Sequence, residues 1–142
     1  MGRRVVITGL GVCAPNGVGL TDFTQSLRDG KSGIRHQPIL EKLGFGCQIA
    51  GEPLVKDNLI DNYFTPLERR GLNATGIVYG VIAGVDAWKD AGLEKNTSNE
   101  PSWDRGILFG TGILGVDKFR EAIHLIDEGN VRRLGSTSVI QT

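Results

Sequence analysis

Apolar positions along this chain follow different rhythms in different stretches, and each rhythm predicts an element. Val5-Val6-Ile7-Thr8 is a short unbroken run rich in β-branched residues, the pattern of a strand covered on both faces. Phe23 and Leu27 lie one helical turn apart, with Thr21 placed to cap the helix and Gly30 to stop it. Residues 31–64 are the least regular part: Gly44, Gly46, Gly51 and Pro53 punctuate the strand-like Cys47-Gln48-Ile49-Ala50. This stretch reads as a loop, one or two short strands, and a helical turn near Asn58 to Asn62.

Thr65-Pro66-Leu67-Glu68 is the sharpest local signal. It combines a Thr N-cap, Pro at the first helical position, and Glu three residues after the cap to complete a capping box. The helix it starts is expected to run on through an apolar stripe of Ala74, Ile77, Val81, Val85 and Trp88, and to end at Ala91-Gly92-Leu93. Gly76, Gly80 and Gly84 recur every four residues on a neighbouring face. Each costs about 0.5–1 kcal/mol of helix stability relative to alanine, so their repetition implies a close neighbour. Arg69, Arg70, Asp86, Lys89 and Asp90 argue against a membrane-spanning reading of the same spacing. Asn96 to Pro101 reads as a polar loop, and Arg105 to Gly112 as a second buried strand ending in a tight turn. Gly115 to Gly129 reads as a third helix with Val116, Phe119, Ile123 and Ile126 on one face.

Composition narrows the picture. A length of 142 residues suits one domain, long enough to bury roughly two thirds of its unfolded surface. Hydrophobic residues make up 39% and charged residues 23%, which excludes disorder as the default. Sixteen basic and sixteen acidic side chains cancel, so net charge supplies no argument for nucleic acid or membrane as a partner. Cys13 and Cys47 form neither a disulfide framework nor a zinc motif, and no metal site or cofactor is expected. Cys13, among apolar neighbours, reads as an inert buried thiol. With no signal peptide pattern and no run of 18 apolar residues, a cytoplasmic location is expected.

The glycine-rich turn after the first run invites two functional readings. Gly9-Leu10-Gly11-Val12-Cys13-Ala14 matches the phosphate turn of dinucleotide-binding domains. That turn needs a helix beginning within the motif, because the free N–H groups of the first helical turn hold the anion. Pro15, Asn16, Gly17 and Gly19 occupy that position and keep the chain irregular until about Leu20. The acid expected about 20 residues on would be Asp29, which sits at a helix end with no strand before it.

The same turn, preceded by Arg3-Arg4-Val5-Val6-Ile7-Thr8 and followed by Gly30-Lys31-Ser32-Gly33-Ile34, resembles the opening of the β-ketoacyl-acyl-carrier-protein synthases. Tyr79 to Leu93, ending in Asp90-Ala91-Gly92-Leu93, resembles that family's long buried helix, and Gly110-Thr111-Gly112-Ile113-Leu114-Gly115 resembles its Gly-Ser-Gly-Ile-Gly-Gly turn. The resemblance covers nearly all of residues 1–142 but only the first part of a family member. It implies an α/β fold: the N-terminal part of a thiolase-like α-β-α layered arrangement, with a central mixed sheet and a long buried helix rich in small residues.

By that correspondence Ile113, with Gly112 and Leu114, lines the acyl pocket, with bulk at Ile113 limiting chain length; on its own pattern, Ile113 could equally plug the core after a strand. Arg69 and Arg70 stand where family members carry basic residues that dock the acyl-carrier protein. The resemblance further implies decarboxylative condensation of an acyl thioester with malonyl-carrier protein in fatty-acid or polyketide synthesis. It also implies a homodimer, or a heterodimer with another ketosynthase subunit. That chemistry needs a cysteine nucleophile, two histidines and a lysine. Cys13 and Cys47 lack the family's nucleophile context, and His36 in a loop and His124 on the third helix read as surface or packing residues, so no catalytic residue is assigned. The stretch 1–142 is accordingly expected to be inactive alone, and aggregation-prone or obligately partnered. The alternatives are a non-catalytic partner subunit of the chain-length-factor type and, from a different class, a nucleotide-binding domain.

Overall fold

The computed structural model of the chain describes residues 2–94, 97, 98 and 100–141, apart from the side chain of Val139. Asn96 and Asn99 of the expected polar loop, and Thr142, lie outside the described residues. Near the N-terminus, β1 (Cys13–Ala14) and β2 (Gly17–Val18) form a tight antiparallel hairpin with Pro15 and Asn16 as its turn. Cys13 faces Val18 and Ala14 faces Gly17. Helix α1 (Leu20–Arg28) follows at once. Its cap is Gly19 at φ 86° rather than Thr21: the positive φ swings the chain straight from hairpin to helix, leaving Thr21 already inside the first turn.

The irregular middle holds β3 (Ile34–His36) paired antiparallel with β4 (Ile49–Gly51), so His36 lies in a strand and not in a loop. Between them sits a short helix not foreseen from the pattern, α2 (Pro38–Lys42), opened by its proline. α3 (Asp57–Ile60) supplies the expected helical turn.

The capping box at Thr65 forms in full. The Thr65 hydroxyl oxygen accepts from the Glu68 amide at 3.3 Å, and the Thr65 amide donates to the Glu68 carboxylate at 2.8 Å. The helix it starts is short, however: α4 (Pro66–Gly71) ends before α5 (Thr75–Asp90) begins. The expected single helix breaks because side chains from far along the chain take the backbone donors at the join. The Gln141 side-chain oxygen accepts from the Asn73 and Ala74 amides at 2.6 and 2.8 Å, and Asp117 accepts from the Thr75 amide at 3.2 Å. Those amides have no need of a preceding helical turn. α6 (Val116–Asp127) matches the third expected helix, and a 3-10 turn (Val131–Arg133) leads to α7 (Ser138–Gln141). Gly30, Gly92 and Gly129, the three expected stops, all have positive φ just beyond their helices.

Neither predicted buried strand forms. Val5–Thr8 and Arg105–Gly112 have no strand partner among the described residues, and a strand exists only by pairing. Their apolar side chains are largely exposed, with Val5 at 92% and Leu108 at 101% of full exposure. The described sheet structure is two separate two-stranded antiparallel ribbons, not a central mixed sheet. Helix α5 is likewise not buried all round: Val78 and Ile82 are buried, while Gly84 is exposed. The core is correspondingly small, with Phe64, Val78 and Ile82 packed against Cys13, Val18, Ile60, Tyr63 and Leu72. Burying Ile82 completely contributes about 2–3 kcal/mol.

Candidate functional site

Helix α5 organises everything around it, and its small residues explain how. The turn around Gly9 and Gly11 lies directly on the helix backbone at Ala83 and Ala87, so closely that a side chain at either glycine would strike main-chain atoms. The Leu10 amide donates to the Asp90 carboxylate at 2.9 Å and ties this turn to the end of the helix. The glycine turn is thus a packing device. α1 starts six residues beyond Ala14, too late for its amides to serve a phosphate held by the turn.

A second segment lies on the glycine face of α5. A Cβ at Gly80 would come within 2.5 Å of the Phe109 ring, and one at Gly76 within 2.6 Å of the Leu114 carbonyl oxygen. Gly84 has open space beside it, so close approach explains two of the three spaced glycines. Between helix and segment runs an apolar cleft of about 610 Å³, bordered by Gly80, Gly84, Trp88, Leu108, Phe109 and Leu114. The Arg105 guanidinium stands 5.9 Å from the Trp88 ring at its edge.

The expected acyl-pocket residues separate. Leu114 is half-buried and borders the cleft, Ile113 is exposed and is not among the residues that border it, and Gly112 is exposed with nothing close. The two arginines separate as well. Arg69 is pinned between two carboxylates, Asp57 and Asp61, each at 2.5 Å, and joins α4 to α3. Arg70 is exposed beside a hollow of about 210 Å³ that Lys118, Arg133 and Gln141 also border. Asp117 and Gln141, which hold the start of α5, were not singled out from the sequence. An acid two residues after Gly115 signals only a helix start, and nothing in the pattern marks Gln141 as a cap.

Titrating groups near the core do not form a catalytic set. Cys13 is half-buried, and desolvation, with a smaller contribution from the Asp86 charge, pushes its thiol up to about 11. It is therefore a protonated thiol at neutral pH, in line with the inert reading. The Tyr63 hydroxyl donates to Asp86 at 2.8 Å, and burial followed by that bond raises it to about 12. His36 and His124 are both exposed. Among the described residues no group of three or more His, Cys, Asp or Glu could hold a metal ion, and no helix is long and apolar enough to cross a membrane.

Comparison with known proteins places the chain in a family. Residues 2–141 match the family model for the beta-ketoacyl synthase N-terminal domain. The chain is 37% identical over 119 residues to a 3-oxoacyl-[acyl-carrier-protein] synthase 2 of Coxiella burnetii, covering 80% of this chain and 26% of that protein. It is 31% identical over 140 residues to the protein of the same name from Vibrio cholerae, covering 99% of this chain and 33% of that one. A Streptomyces halstedii protein, provisionally named polyketide beta-ketoacyl synthase 1, is 30% identical over 93% of this chain and 30% of its own length. The chain spans about a quarter to a third of the relatives it matches.

Proposed function

The chain belongs to the β-ketoacyl synthase family, as an N-terminal segment, and on that footing we propose that it forms the first part of a 3-oxoacyl-carrier-protein synthase of fatty-acid or polyketide synthesis. In that reaction a malonyl thioester loses carbon dioxide, the resulting enolate carbon attacks an acyl thioester carbonyl, and the acyl group's thiolate leaves. The observation that carries the reading is the match over residues 2–141, together with the exposed apolar runs that adjoin the segments packed on α5. Val5, Ile7, Ile107 and Leu108 in particular suit strands of a larger thiolase-like layered fold whose mixed sheet would bury α5. The segment 1–142 by itself is inactive under this proposal, because no cysteine with two histidines is assembled on it. Its exposed apolar side chains also make it aggregation-prone or dependent on a partner.

In the assembled enzyme the turn Gly112-Ile113-Leu114 borders the acyl pocket, with Leu114 already at an apolar cleft. Arg69 and Arg70 form the docking region for the acidic acyl-carrier protein. Arg69 acts as its brace through Asp57 and Asp61, and Arg70 is the exposed contact. The assembled protein is a cytoplasmic homodimer, or a heterodimer with another ketosynthase subunit.

The test is to read the gene downstream of codon 142 and assay the native protein with acyl- and malonyl-carrier protein. A cysteine at the nucleophile position and formation of the 3-oxoacyl product are expected. Glutamine there, with no product unless a catalytic subunit is added, would instead identify a non-catalytic chain-length partner.

A further inference from the structure

The segment that carries Leu114 is held against α5 from two adjacent residues of the helix's first turn. Thr75 makes the attachment: its amide and hydroxyl both donate to the same Asp117 carboxylate oxygen, at 3.2 and 3.0 Å. Gly76 makes the close contact, since its missing side chain lets the Leu114 carbonyl settle against the helix. Leu114 is only three residues before Asp117, and Gly115 between them is buried, so little slack separates contact from attachment. On the other side of the same join, Gln141 takes the Asn73 and Ala74 amides, so the start of α5 has a second attachment besides Asp117. The helix end is therefore a rigid post, and Asp117 is the tether that sets where the turn sits on it.

We infer that Asp117 is a positioning residue, acting through Thr75, that fixes the Gly112–Leu114 turn and thereby the length of acyl chain accepted. This rests on the acyl-pocket reading above. Releasing the tether lets the turn move off Gly76, and Leu114, which borders the apolar cleft, moves with it. The Asp117 carboxylate also lies in the first turn of α6, where its charge favours that helix. The two roles separate by substitution: Asn at this position keeps an oxygen to accept from Thr75 but carries no charge.

The experiment uses the native full-length protein with Asp117→Ala, Asp117→Asn and Thr75→Val, and reads amide exchange in residues 110–115 and turnover of acyl-carrier substrates from eight to sixteen carbons. Asp117→Ala removes both bonds from Thr75 and should speed exchange in the turn roughly tenfold or more, and flatten the preference among chain lengths. Thr75→Val should move both readouts the same way to a smaller degree, since its amide remains. Asp117→Asn should leave both close to wild type. Unchanged exchange in Asp117→Ala, or an Asn variant that behaves like the Ala variant, would overturn the tether. Faster exchange with an unaltered chain-length preference would overturn its role in specificity. A wild-type protein that condenses nothing would sink the proposed function instead, and the exchange measurement would still decide the tether.

Discussion

Helix α5 and the two apolar runs that adjoin its packed segments have similar hydrophobic content and entirely different fates. Thr75–Asp90 forms sixteen residues of regular helix, while Val5–Thr8 and Arg105–Gly112 have no strand partner among the described residues and leave most of their side chains exposed. A helix closes its hydrogen bonds four residues away and needs tertiary contact only for one stripe. A strand finds every hydrogen bond in another segment, and a strand apolar on both sides needs cover on both. The contrast shows why the helical part of the chain is regular while the two apolar runs are not: a helix carries its own hydrogen-bond partners and a strand does not.

The comparison breaks most severely at its centre. Ile82→Ala removes the fully buried side chain of a small core, and should cost about 3 kcal/mol in urea unfolding; a loss below about 1 kcal/mol would mean that α5 does not depend on this contact. Gly11→Val probes whether the first segment is bound to the helix at all. A side chain there strikes the Ala83 and Ala87 backbone, and should cost about 2 kcal/mol by lifting the turn. Gln141→Ala leaves the Asn73 and Ala74 amides without an acceptor, Ala74 being wholly buried, for about 1.5 kcal/mol. If hydrogen exchange then showed α4 and α5 merged into one helix, the break would be proven tertiary in origin. The smallest effect belongs to the other side of the contrast: Leu108→Ser in the 142-residue chain should change stability by less than about 0.5 kcal/mol while raising solubility. A cost of about 2 kcal/mol there would show that this segment is already covered.

Much of the helical structure was legible in the residues. The Thr65–Glu68 box, the glycine stops of α1, α5 and α6, and the close approach at Gly76 and Gly80 all depend on neighbours in sequence or on the need for a missing side chain. The break between α4 and α5 was not legible, because its cause sits some seventy residues away in Gln141. The candidate site was legible as a motif but not as a geometry. Gly112, Ile113 and Leu114 are consecutive, yet only Leu114 faces the apolar cleft. Arg69 and Arg70 are neighbours with opposite circumstances, since the carboxylates that hold Arg69 come from the preceding helix and loop and belong to no motif around it.

By itself the order of residues determined the family, and it determined the capping box at Thr65 and the glycine stops of α1, α5 and α6, since caps and stops follow from interactions a few residues in range. Tertiary structure alone decided that one expected helix is two, that Asp117 and Gln141 hold their junction, and that the apolar runs beside α5 are unpaired. Those outcomes turn on which distant groups meet a backbone amide in the folded state, and pairing between segments far apart in sequence is specified only when both are present and packed together.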